Sequence, residues 1–121
     1  MIKNLLLVGL GGGIGSMLRY LVWYAFKSTE FPVPTFIVNI VGSLAIGMVI
    51  GLSLKEPAIS GNWKLFLATG ICGGFTTFSA FSMENLQLII DGKFLQSVFY
   101  ITLSLFLGIA AAWGGFKLVT N

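Results

Sequence analysis

Residues 70–82 read Gly-Ile-Cys-Gly-Gly-Phe-Thr-Thr-Phe-Ser-Ala-Phe-Ser and lie inside an apolar stretch long enough to cross a bilayer. Adjacent glycines, four hydroxyl side chains and three phenylalanines are a poor recipe for a lipid anchor. Backbone that leaves the helix at membrane depth is tolerated only inside protein or beside a cavity. In transporters such interruptions point to the ion or substrate site. The segment therefore predicts a helix broken at Gly73–Gly74, with a permeating ion nearby. Phe78 and Phe81 are three residues apart and share a face. Such a stripe is commonly packing, but a ring edge is electropositive and can face an anion where water is absent. Thr76, Thr77, Ser79 and Ser82 place hydroxyls around the rings. Glu84 follows near the far end of the span, where a carboxylate can reach water. Hydroxyl donors with ring edges suit a small anion.

Other polar residues stand at membrane depth. Asn39 shares a helix face with Gly42 and Ser43, and a buried amide is expensive unless it bonds something. It reads either as an interhelical hydrogen bond or as a donor to a passing ion. Tyr100, Ser104 and Gly108 recur at four-residue spacing along one stripe. They read as a polar track, or as an interfacial tyrosine with a serine bonded to its own backbone. Arg19 lies seven residues before Phe26, about 10 Å along a helix, so its long side chain can snorkel to a pore mouth and attract anions.

The elements that position these residues follow from composition. Apolar residues make up 56% of the 121-residue chain and charged ones 9%, against about 25% charge in soluble domains; the mean hydropathy is +0.95. The chain reads as an all-α integral membrane protein of one domain. Its apolar runs give four spans at about 5–26, 36–54, 65–90 and 94–119, each near the ~20 residues a crossing requires. Glu30, Pro32 and Pro34 mark the first connection, residues 55–62 the second and Asp91-Gly92-Lys93 the third. The first span is expected to be retained, because no small-residue cleavage site follows the apolar run after Lys3 before Arg19, and the apolar stretch is too long for a signal peptide. Without histidine and with one cysteine, Cys72, a transition-metal site is not expected. Leu5–Leu18 imitates a dinucleotide-binding turn, but the third glycine of G-x-G-x-x-G would fall on Ser16. No nucleotide motif or other energy source is evident, no catalytic residues are expected, and passive flow is the simplest mechanism.

Lysine and arginine favour the cytoplasmic side. With four spans, Lys3, Lys55, Lys64 and Lys117 share one side, while Lys27, Lys93 and Arg19 lie toward the other. So even a division permits insertion both ways up. Small residues at four-residue spacing let helix backbones approach, as in Gly9/Gly13, Gly11/Gly15, Ser43/Gly47/Gly51 and the Gly108, Ala112, Gly115 group. These stripes suggest a homo-oligomer, or internal packing of the same four helices.

Gly73-Gly74-Phe75-Thr76-Thr77-Phe78-Ser79-Ala80-Phe81-Ser82 resembles the third-helix signature of the Fluc (CrcB) fluoride channels. Gly12-Gly13-Ile14-Gly15 with Arg19-Tyr20, and Val38-Asn39 followed by Gly42, add to the resemblance, which spans the chain. It implies an antiparallel, dual-topology homodimer in the cell membrane with two fluoride pores. It also implies a structural sodium ion on the dimer axis, held by the backbone carbonyls of Gly73 and Thr76. The fluoride pathway would comprise Asn39, Phe78, Ser79, Phe81, Tyr100 and Ser104, with Arg19 and Glu84 in the vestibule. The chain departs from the pattern in three places: Ala80 replaces a hydroxyl, Pro34-Thr35-Phe36 stands for Gly-Thr-Leu, and Gly108 stands where a serine is expected. The alternative class, a proton-coupled exporter of the small multidrug resistance type, needs a carboxylate deep in the first span; that span's only charge is Arg19.

Overall fold

The computed structural model describes residues 1–27 and 31–121; Glu30 of the first connection lies outside the described residues. Every regular element among them is helical. Helix α1 is Ile2–Phe26 and α2 is Val33–Lys55; a 3-10 turn, Pro57–Ile59, follows. Helix α3 (residues 62–75) comprises a turn at Asn62–Lys64, a π-helical stretch at Leu65–Cys72 and a last turn at Gly73–Phe75. Helices α4, Phe78–Ile90, and α5, Phe94–Thr120, complete the chain. Together α3 and α4 make up the third of four segments long and apolar enough to cross a membrane, Asn62–Ile90. The four lie where the hydropathy placed them, extended by up to three residues at their ends.

Local chemistry explains the boundaries. Pro32 and Pro34 sit around the start of α2, where a missing N–H costs nothing and φ is already helical. Beyond α4, Gly92 adopts φ 75°, and the Gly92 and Lys93 N–H groups turn back to the Ile89 and Leu88 carbonyls. That left-handed stop is inexpensive only for glycine. Lys27 lies over the Tyr24 ring at one end of α1, and Lys117 over the Trp113 ring near the end of α5. Aromatic rings and lysines at helix ends suit the membrane–water interface.

The small-residue stripes pack mainly within the chain. A Cβ on Gly47 would collide with the Ala112 backbone, and one on Gly115 with the Leu44 carbonyl, so α2 and α5 are in backbone contact. On α1, a Cβ on Gly11 would lie 2.6 Å from the Phe66 carbonyl oxygen, and one on Gly15 would strike the Ile71 carbonyl. The wide π-helical part of α3 therefore rests directly on α1. Gly9 and Gly13 face open space instead.

Candidate ion-permeation site

The third span is interrupted at Thr76 and Thr77, not at the glycine pair. Gly73 and Gly74 belong to a helical turn, with Gly73 at φ −62° and ψ −38°, while both threonines are extended. Each threonine caps one side of the gap. Thr76 Oγ1 donates to the Cys72 carbonyl at 2.9 Å, closing α3. Thr77 Oγ1 accepts from the Ala80 N–H at 3.2 Å, opening α4 as an N-cap. The glycines serve α1 instead: a Cβ on Gly74 would collide with the Gly12 carbonyl.

Three side chains satisfy backbone groups that the gap releases. Asn39 Nδ2 donates to the Thr77 carbonyl at 3.2 Å, and Asn39 Oδ1 accepts the Thr77 N–H at 2.8 Å. The amide thus pairs with Thr77 as a neighbouring strand would. Arg19 Nε donates to the Gly74 carbonyl at 3.0 Å, with Ser16 Oγ 3.5 Å from the same oxygen. Each such group left bare in hydrocarbon would cost several kcal/mol, so Asn39 and Arg19 stabilise the interruption. Of the two readings of Asn39, the interhelical hydrogen bond is present. Arg19 is anchored to the break rather than free at the surface.

The carbonyls of Gly73 and Thr76 also lose their helical partners. The Thr77 N–H, which an unbroken helix would direct to Gly73, goes to Asn39, and the Ala80 N–H, which would serve Thr76, goes to Thr77 Oγ1. Both residues line an open groove of ≈ 300 Å³ together with Asn39, Ser43, Cys72 and Phe78. Hard cations prefer oxygen ligands, so the Gly73 and Thr76 carbonyls fit a sodium ion in chemistry. Among the described residues no group of three His, Cys, Asp or Glu side chains could hold a metal.

The aromatic side of the site lies between α4 and α5. Phe78 and Phe81 have centroids 5.9 Å apart at 39°, and Phe81 meets Tyr100 edge-on at 4.9 Å and 64°. Phe78 is largely exposed, whereas Tyr100 is fully buried. Tyr100, expected on an open polar track with Ser104, instead gives its one proton to Glu84 Oε1 at 2.8 Å. Glu84 Oε2 accepts from Thr35 Oγ1 at 2.6 Å, a length typical of a bond to a charged acceptor. Glu84 is partly buried and shares a cavity of ≈ 170 Å³ with Arg19, Thr35, Thr77 and Ala80. Ser79 Oγ lies 3.3 Å from Thr77 Oγ1 on the exposed side, and the buried Ser104 Oγ has no hydrogen-bond partner among the described residues.

The structure thus joins Asn39, Gly73, Thr76 and Phe78 at one groove, Arg19 and Glu84 at one cavity, and Phe81, Tyr100 and Glu84 in one cluster. Sequence reasoning missed Thr35 as the second donor to Glu84, and Phe31 and Phe36 as neighbours of the Tyr100 ring at 5.2 and 6.4 Å. In the sequence Pro34-Thr35-Phe36 stands out only as a departure from a pattern. A hydroxyl at the start of an apolar span was the available signal.

Four helices long and apolar enough to span, one interrupted near its middle, define a multi-pass membrane protein. Residues 6–116 match the family model described as CrcB-like protein, Camphor Resistance (CrcB), and the chain belongs to that family. It is 49% identical to the fluoride-specific ion channel FluC of Flavobacterium psychrophilum, over 93% of this chain and 94% of that protein. It is 46% identical to the channel of that name from Azobacteroides pseudotrichonymphae, over 98% and 97% of the two chains. For that of Methylobacillus flagellatus the values are 46%, 96% and 94%.

Proposed function

We propose that the chain is a fluoride-selective channel giving passive export across the cell membrane. The observation that carries this reading is the interrupted third span, where Asn39 holds Thr77 extended beside the Phe78–Phe81 pair. The names of the relatives point the same way. Fluoride is small and a strong hydrogen-bond acceptor, so a dry path must replace its water with donors. The Asn39 amide, whose second N–H is not used on Thr77, the Ser79 hydroxyl and the unpartnered Ser104 hydroxyl can supply them, while Phe78 and Phe81 add electropositive edges. Tyr100 reaches the path through its ring on Phe81, since its hydroxyl proton is committed to Glu84. Conduction also needs binding weak enough to release the ion, and edge contacts are weak. Arg19 and Glu84 flank the entrance in their common cavity.

The working unit is an antiparallel homodimer with two pores. Gly73 is exposed and the groove beside it carries the Asn39, Ser43 and Thr76 polar groups. Such a face is costly against lipid tails, and a second copy would cover it. When bound there, sodium would supply fixed positive charge that favours anions nearby. The Gly73 and Thr76 carbonyls of both copies would hold it, without moving.

Purified protein reconstituted in liposomes tests the function. Fluoride efflux that greatly exceeds chloride efflux, without a proton gradient, is the expected result. Flux that requires a proton gradient would favour the exporter class, although α1 lacks the carboxylate that class uses.

A further inference from the structure

Asn85 and Ser97 belong to none of the groups above, yet they are 6% and 2% exposed. Ser97 Oγ, on α5, donates to Asn85 Oδ1, on α4, at 2.8 Å. Asn85 Nδ2 donates to the Phe81 carbonyl at 2.9 Å, one helical turn back. Packing alone does not call for these residues, because replacing both partners of a buried bond by apolar groups of similar shape is often nearly neutral. What the bond adds is direction, since only one sliding position of α5 on α4 completes it. Ser97 precedes Tyr100 by three residues, and Asn85 follows Phe81 by four and Glu84 by one. Residues three and four apart share a helix face. The sliding position that joins Ser97 to Asn85 is therefore the one that sets Tyr100 edge-on to Phe81 and its hydroxyl on Glu84.

We propose that Asn85 and Ser97 are positioning residues: their bond fixes α5 on α4 so that Phe81 and Tyr100 keep the geometry that passes fluoride and rejects chloride. This rests on the reading of Phe81 and Tyr100 as part of the fluoride pathway. Neither Asn85 nor Ser97 touches the ion.

The test uses the full-length protein in liposomes, comparing fluoride and chloride efflux for Ser97→Ala and for the double variant Asn85→Leu/Ser97→Ala. The ratio of the two fluxes does not depend on how much protein folded, so a merely structural role would leave it unchanged. Both variants are expected to lower the fluoride-to-chloride ratio, on the order of tenfold for the loss of one such bond. The double variant, which strands no polar atom, is expected to keep the thermal midpoint of the parent. A parental ratio in the double variant would overturn the proposal. Should that variant not assemble, a parental ratio in Ser97→Ala overturns it equally. Phe81→Leu and Tyr100→Phe separate the two readings: if both leave flux and ratio unchanged, the pathway assignment itself fails. If they alter it and the Asn85 and Ser97 variants do not, the positioning role alone fails.

Discussion

Asn39 replaces a piece of helix with a side chain. Its amide donates to and accepts from one residue, Thr77, whose N–H the interruption has stripped of its helical partner. Asn39→Ala would leave the Thr77 N–H unpaired, at about 1–3 kcal/mol, so the variant is expected to lose thermal stability and fluoride flux together. Asn39→Asp keeps the acceptor but not the donor and adds negative charge beside an anion path. It is expected to retain more stability than the alanine variant while conducting no better; thermal melts and liposome efflux on the same preparations decide. Arg19 has a similar double character. Its charge can draw anions to the entrance, and its Nε holds the Gly74 carbonyl. Salt screens the first effect but not the second. Arg19→Gln is therefore expected to slow efflux several-fold at low salt and to keep part of that deficit at high salt. Full recovery at high salt would leave steering as the whole of its role.

The spans were legible because length, hydropathy and proline placement agree on them, whereas the location of the break was not. A glycine pair suggested it, but glycine has two uses, and here the closer need was space: Gly74 touches α1, while Thr76 and Thr77 interrupt the helix. What makes the threonines extended is Asn39, thirty-eight residues away, and no local pattern encodes that partnership. The π-helical stretch was equally invisible, since it answers to the contact with Gly11 and Gly15. The two glycines now separate by experiment. Gly74→Ala forces a Cβ into the Gly12 backbone and is expected to abolish recovery of folded protein. A Cβ on Gly73 meets nothing nearer than the Ala68 carbonyl at 3.8 Å, so Gly73→Ala leaves the protomer's own packing intact. Monomeric but folded Gly73→Ala protein, seen by size-exclusion in detergent, is expected if this face meets a second copy. Loss of the fold in Gly73→Ala would instead place its role within the protomer.

For the whole molecule, the small-residue stripes on α2 and α5 no longer argue for assembly, because they pack on each other. The polar groove along α2 and α3, which a lone protomer would present to lipid, is the face that favours a second copy. In the proposed dimer the balanced basic residues would allow the second copy to sit inverted, which would bring two broken spans together across one axis. In the proposed antiparallel dimer the Gly73 and Thr76 carbonyls, two per protomer, would place four oxygens around a point. Sodium suits such a cage because it is a hard cation, and an ion shared by two chains strengthens their association by mass action. Purification in a large organic cation in place of sodium is therefore expected to lower fluoride efflux and to loosen the dimer, and returning sodium should restore both. Since the ligands are main-chain oxygens, Thr76→Ser, which keeps the hydroxyl on the Cys72 carbonyl, should respond to sodium as the parent does. Efflux that is indifferent to sodium removal, with the dimer intact, would remove the ion from the mechanism and leave the break to Asn39 and Arg19.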